Sequence, residues 1–282
     1  MSQQLNILVG LDGTIMDDHL IAFLEQNASK ITSQPVKILH ATNSNERSNE
    51  TIISKIIEKL PDSLRNAELL VKNGVPEQEL QQLGEAMKVD LLVVGQKPDK
   101  MQHVATKKLA EKAATSLLVV PVQKDYKIQR IYVALDFTPY SMAVLHQAQA
   151  IATSLKAQLE GVHTYEVPSG YHKTGKDHWE FAKEMEHNAQ NEASAFLKKA
   201  GMELPIHYLY EENRSTAECI VEFVEGQSVD LLIMGSEGRT SAASLIHSSV
   251  AKKVTKEIRH IPLMILKMND KNMDVWDALK EV

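Results

Sequence analysis

The sequence predicts an α/β protein built from two copies of one doubly wound parallel sheet. Three observations carry that expectation. Short apolar runs alternate with segments of helical period. The runs themselves do not alternate polar with apolar, which is the pattern of strands covered on both faces. The same signatures then occur twice along 282 residues, a length that suits two domains of roughly 100–200 residues. Strands and helices in βαβ order give a parallel sheet with helices on both sides.

The repeat is legible residue by residue. Val89 to Gly95 reads VDLLVVG and Val229 to Gly235 reads VDLLIMG, so Gly95 and Gly235 lie 140 residues apart. The opening strands also match, Ile7-Leu8-Val9-Gly10-Leu11-Asp12 with Ile131-Tyr132-Val133-Ala134-Leu135-Asp136. A second strand ends in histidine in both copies, at His40 and at His163, which suggests a repeated packing role. Each copy closes on a β-rich run, Leu117 to Val120 and Leu263 to Leu266. The expected units are 1–124 and 125–268, with a tail over 269–282.

The helices announce themselves by their starts. Thr138-Pro139 offers an N-cap followed by proline at the first helical position. Apolar residues then recur at Met142, Leu145, Ala148, Ala152 and Leu155. From Asp177 to Lys199, Ala182, Met185, Ala189, Ala193 and Phe196 share one face. Ser215 with Glu218 reads as a capping box ahead of Ile220, Val221 and Val224.

Composition is ordinary for a soluble globular chain, with 43% apolar and 24% charged residues. Aromatics are only 5%, so the core must rest on aliphatic side chains. A net charge of −6 argues against a dedicated nucleic-acid or membrane surface. No apolar run approaches the roughly 18 residues of a spanning helix. The N-terminus has no basic region ahead of an apolar segment, so no signal peptide is expected. One cysteine, Cys219, excludes an internal disulfide and fits a reducing compartment, so a cytoplasmic location is expected. Cys219 itself reads as a packed helix residue.

Ligands of doubly wound sheets sit beyond the strand C-termini, where strand order reverses. Asp12, Asp136, Gly95 and Gly235 all fall at such ends. The stretch from Val229 to Val254 reads as a strand, a turn with Gly235 and Gly238, a Ser/Thr-rich segment ending in Ser248-Ser249, and a helix entry. The free N–H groups of a helix N-terminus can hold phosphate, and a ligand-free structural turn is the alternative.

With these residues in place, the chain resembles the universal stress protein family in tandem form. The family's nucleotide signature is G-x2-G-x9-G-[ST]; here the C-terminal copy reads Gly235-x2-Gly238-x9-Ser248-Ser249. The resemblance implies two Rossmann-like domains, each a five-stranded parallel sheet in the order 3-2-1-4-5. It implies ATP or AMP in the C-terminal copy only, with Asp136 at the adenosine end and Thr164 lining the base. Gly235, Gly238, Ser248, Ser249 and Val250 would surround the phosphates, and Met234 would also contact the nucleotide. Arg239 would offset Glu237, or Mg²⁺ would sit between Glu237 and the phosphates. The family's domains pair through their last strands, which this chain would do within one molecule; a homodimer is compatible with the same reading. No catalytic residue and no protein-bound metal is implied.

Two departures qualify the match. Ser248 stands where the signature has glycine, at a cost of about 1 kcal/mol if the position needs positive φ. The N-terminal copy reads QKPDKMQHVATKKLAEKA after Gly95, with no second glycine and no Ser-Ser pair. It is expected to act as a structural partner.

Other candidates are weaker. Gly170 to Asp177 nearly fits G-x4-G-K-[ST], but Asp177 replaces the hydroxyl that Mg²⁺ needs. His163, His172, His178 and His187 crowd one region without metal-ligand spacing. An ATPase would need a base near the phosphates. Glu237 and His247 are the candidates, and neither has an orienting partner legible in the sequence.

Overall fold

The computed structural model describes residues 5–42, 49–96, 108–110, 113–236 and 249–267. The first half contributes β1 (Ile7–Leu11), α1 (Met16–Ile31), β2 (Lys37–Thr42), α2 (Asn49–Lys59), β3 (Glu68–Asn73), α3 (Pro76–Ala86), β4 (Leu91–Gln96) and β5 (Ser116–Pro121). The second contributes β6 (Arg130–Ala134), α4 (Pro139–Leu155), β7 (Gln158–Tyr165), α5 (His178–Ala200), β8 (Ile206–Tyr210), α6 (Thr216–Glu225), β9 (Leu231–Gly235), α7 (Ser249–Glu257) and β10 (Leu263–Leu266). All ten strands form one sheet in the order β3-β2-β1-β4-β5-β10-β9-β6-β7-β8. Within each half the pairing is parallel. At the seam β10 runs antiparallel to β5, with Leu263 opposite Val119 and Ile265 opposite Leu117. Strand order reverses between β1 and β4 and again between β6 and β9.

The unalternating strands bury both of their faces, which is why they could be read as apolar runs. Successive residues feed opposite sides. Ile7, Val9, Leu91 and Val93 join one core with Leu24, Leu145, Leu155 and Phe196. Leu8, Leu92, Leu117 and Leu232 join the other with Leu80, Ile220, Val224 and Val254. Both cores run through the seam, so the halves share their hydrophobic interior.

The helix starts follow the expected chemistry. The Thr138 hydroxyl accepts the Ser141 N–H at 3.1 Å, and Pro139 opens α4. Asp177 and Glu180 form a capping box at α5, as Ser215 and Glu218 do at α6. The Ser215 N–H and hydroxyl hold the Glu218 carboxyl below its ordinary range. Cys219 is buried on α6, and burial pushes its thiol up. On α5, Ala182, Ala189, Ala193 and Phe196 are buried, whereas Met185 faces a cavity at the strand ends.

Reciprocal contacts tie the halves together. Gln96, just past Gly95, donates from Nε2 to the Ile258 carbonyl at the end of α7 at 2.9 Å. Lys267, just past β10, donates from Nζ to the Ala113 carbonyl. Ala113 N–H closes on Leu109 O and Ile258 N–H closes on Val254 O. Each half therefore caps the last helical turn of the other. Near the junction the Asn27 amide donates to the Tyr126 carbonyl at 2.9 Å, and the Tyr126 hydroxyl lies 2.8 Å from His19 Nδ1.

Candidate functional site

The turn after β6 is built from its own side chains. Asp136 Oδ1 accepts the Thr138 N–H at 3.1 Å and the Thr138 hydroxyl at 2.7 Å. Asp136 N–H donates to the Ser141 hydroxyl at 3.2 Å. The chain can fold back this tightly because Phe137 adopts a left-handed conformation. Its ring stacks on His163 with centroids 4.2 Å apart.

The first half repeats the turn with one change. Asp12 Oδ1 accepts the Thr14 N–H at 3.1 Å and the Thr14 hydroxyl at 2.6 Å. Where Ser141 stands in the second half, Asp17 stands here. Its carboxylate accepts the Asp12 N–H at 3.0 Å and the Gly13 N–H at 2.9 Å. The first-half turn thus carries its own anion. Asp17 is buried, and burial raises its pKa, with the neighbouring Asp12 charge adding to the effect. The two histidines also differ. His163 Nδ1 lies 2.8 Å from the Leu135 carbonyl, while the buried His40 Nδ1 has no partner among the described residues.

A cavity of about 620 Å³ opens at the β6/β9 switch point, within the size range of small-molecule sites. Asp136, Thr164, Met234, Gly235 and Val250 all line it. Ser249 is the first residue of α7. Gly238, Arg239 and Ser248, with Glu237 and His247, lie outside the described residues, as does the tail from 268 onward. The cavity extends past Thr164 to Asn188 and Glu192 on α5 and to Glu211 beyond β8. Its described walls carry Asp136, Glu166, Glu192 and Glu211 and no lysine or arginine. Tyr165, also in the wall, has its phenol pushed up to about 12, first by burial and then by the Glu186 carboxylate.

Gly235 has a packing reason as well as the expected ligand reason. A Cβ there would stand 2.6 Å from Tyr140 Cε1 and 3.1 Å from Val144 Cγ2. The Tyr140 ring fills that space, and its hydroxyl donates to the Leu266 carbonyl at 3.0 Å. The Ser236 hydroxyl lies 2.8 Å from the same Tyr140 oxygen, so with the phenol proton committed, Ser236 is the donor of that pair. The sequence reading missed Tyr140, Ser141 and the three glutamates. Tyr140 does carry a signal, since it follows the Thr138-Pro139 start and must sit in the first turn of α4.

Gly170 to Asp177 forms a short 3₁₀ turn over Tyr171–Thr174 followed by the Asp177 N-cap. Lys176 pairs with Glu184. Tyr171 packs against His178 and Phe181, and His178 Nε2 lies 2.7 Å from the Tyr210 hydroxyl. No trio of histidine, cysteine or acidic residues suited to a metal occurs among the described residues.

Comparison with known proteins identifies the family. The model of the universal stress protein family matches residues 127–267, half of the chain. The chain belongs to the universal stress protein family. Over 141 residues it is 28% identical to the universal stress protein MJ0531 of Methanocaldococcus jannaschii, a match covering 49% of this chain and 82% of that one. The whole-chain fold is similar to that of PA1789 from Pseudomonas aeruginosa PAO1, a protein of unknown function. That similarity has a TM-score of 0.71 at 14% identity and covers 100% of this chain and 99% of the other. A universal stress protein from Archaeoglobus fulgidus gives 0.59 at 15% identity, covering 95% and 98%. The family match falls on the half that contains the cavity. The first half of this universal stress protein has the same strand order as the second. No described helix is long and apolar enough to cross a membrane.

Proposed function

We propose that this universal stress protein binds an adenine nucleotide, ATP or AMP, in its second half and acts through ligand-biased contacts and not as an enzyme. The observation that carries the reading is the cavity at the β6/β9 switch point, where Asp136, Thr164, Met234, Gly235 and Val250 converge. Asp136 and Thr164 supply acceptors and a hydroxyl suited to ribose and base. Gly238, Arg239, Ser248 and Ser249 are assigned the phosphates, through amides at the start of α7 and, with ATP, Mg²⁺ beside Glu237. The first half, taken as a unit over 1–124, serves as the permanent partner of a second unit over 125–268. The amides of its β1 turn, Asp12 and Gly13, are held by its own Asp17 carboxylate. A cytoplasmic location and the absence of nucleic-acid partners belong to the same reading.

Calorimetry on nucleotide-stripped protein tests it. Binding of AMP or Mg²⁺-ATP that tightens in Ser248→Gly supports the proposal. No heat at millimolar nucleotide, in the parent and in Ser248→Gly, overturns it.

A second reading is a nucleotide-free scaffold. It is favoured by the carboxylates in the described walls, which repel a polyphosphate. Under that reading Ser248→Gly changes nothing.

A further inference from the structure

Nothing in the assignment of the cavity explains why the Leu266–Lys267 peptide is held from both sides. Its carbonyl faces the second half, where it accepts the Tyr140 hydroxyl at 3.0 Å and the Ser236 N–H at 3.0 Å. Its N–H faces the first half and donates to the Ser116 hydroxyl at 3.1 Å. The Lys267 ammonium then reaches the Ala113 carbonyl. Lys267, Ser116, Ala113 and Ser236 are all buried.

A peptide unit is planar and resists twisting. If its oxygen moves, its N–H moves with it. Tyr140 lines the cavity, and its ring lies against Gly235, where a ligand's approach to the strand end would be felt. We propose that Tyr140 is a positioning residue that makes occupancy of the second-half cavity felt in the first half, through the Leu266–Lys267 peptide, at the turn from Ala113 to Ser116. The ligand side of this proposal rests on the nucleotide reading; the connection between the halves does not.

The coupling is regulatory in kind. A ligand that settles the Tyr140 ring orders the peptide plane and with it the segment from Ala113 to Ser116. Thermodynamic reciprocity then requires that whatever binds that segment alters nucleotide affinity. The first half thereby gains a role that needs no ligand of its own.

The test uses the full chain, stripped of small molecules, with AMP and Mg²⁺-ATP as probes. Calorimetry measures binding, and mass spectrometry follows amide exchange with and without nucleotide. In the parent chain, nucleotide should slow exchange several-fold across 113–121. In Lys267→Met and in Ser116→Ala, neither of which lines the cavity, nucleotide should still bind and still slow exchange over 131–145. The slowing over 113–121 should be lost. Equal slowing in both variants, or none in the nucleotide-bound parent, overturns the proposal. If no nucleotide binds, the nucleotide reading falls, and the unliganded chains decide the coupling. Tyr140→Phe should then speed exchange over 113–121 several-fold while leaving β1 to β3 unchanged. No change over 113–121 would end it.

Discussion

Phe137 holds φ +61° where Gly13, in the equivalent turn of the other half, holds φ +77°. The two turns use the same Asp and Thr hydrogen bonds, so the same backbone geometry is reached with different side chains. In one half glycine removes the strain. In the other the strain is offset by stacking of Phe137 on His163 and its contact with Phe196, centroids 5.3 Å apart.

That offset predicts opposite responses in space but not in sign. Gly13→Ala should destabilise by about 1 kcal/mol, because a left-handed alanine is strained. Its Cβ meets nothing closer than His40 Cε1 at 3.5 Å, so the cost is conformational. Phe137→Gly relieves the strain but loses a half-buried ring, whose burial is worth about 1–2 kcal/mol. It should also destabilise. Urea unfolding of both variants checks the pair.

Gly235→Ala drives a methyl into the Tyr140 ring, which its hydroxyl bonds hold in place. Overpacking of this kind costs about 1–3 kcal/mol. Tyr140→Ala opens the space, so the two substitutions should combine to less than the sum of their separate costs. An additive double-mutant cycle would mean that the ring already yields.

Asp17 gives a pH signature. Its folded pKa is raised above the ordinary 3.8, so the folded state binds the proton more tightly than the unfolded chain. Its contribution is fully present below pH 3.8 and is lost as pH rises through the folded value. Asp17→Ser, which copies Ser141, should therefore gain stability relative to the parent as pH climbs from 3.8 towards neutrality. Glu218 works in the other direction. Its pKa is lowered from 4.5, so its contribution is present above 4.5 and fades in acid. Denaturant titrations at stepped pH on Asp17→Ser and Glu218→Gln should show differences of opposite slope.

The shared interior makes one more prediction. Leu118 is 1% exposed on β5 at the seam, and its truncation to alanine should cost about 2–5 kcal/mol. Because both cores cross the seam, the loss should appear in one calorimetric transition for the whole chain. Two separated transitions, with only the earlier one shifted, would show that the halves unfold independently.

Much of this architecture was legible in the sequence because its signals are local. Thr138-Pro139, Ser215 with Glu218, and the twin VDLLVVG and VDLLIMG runs each state their element within a few residues. The first-half departure after Gly95 is a missing motif in the sequence, and residues 97–107 lie outside the described residues. The contacts that join the halves were not. Gln96 to Ile258 and Lys267 to Ala113 connect residues more than 150 positions apart, and glutamine or lysine after a strand reads as surface. Gly235 was read as room for an anion, whereas the bulky Tyr140 ring on α4 gives it a second reason. Asp17 was not singled out in the sequence; the fold brings it onto the amides of Asp12 and Gly13.

The antiparallel seam between β5 and β10 has a consequence for numbers of molecules. Two separate chains that met along such strands would part on dilution, and their association would depend on how much of each the cell made. Here the bond between them is a stretch of backbone. The ratio is fixed at one to one, and a change in either half is matched forever to the same companion.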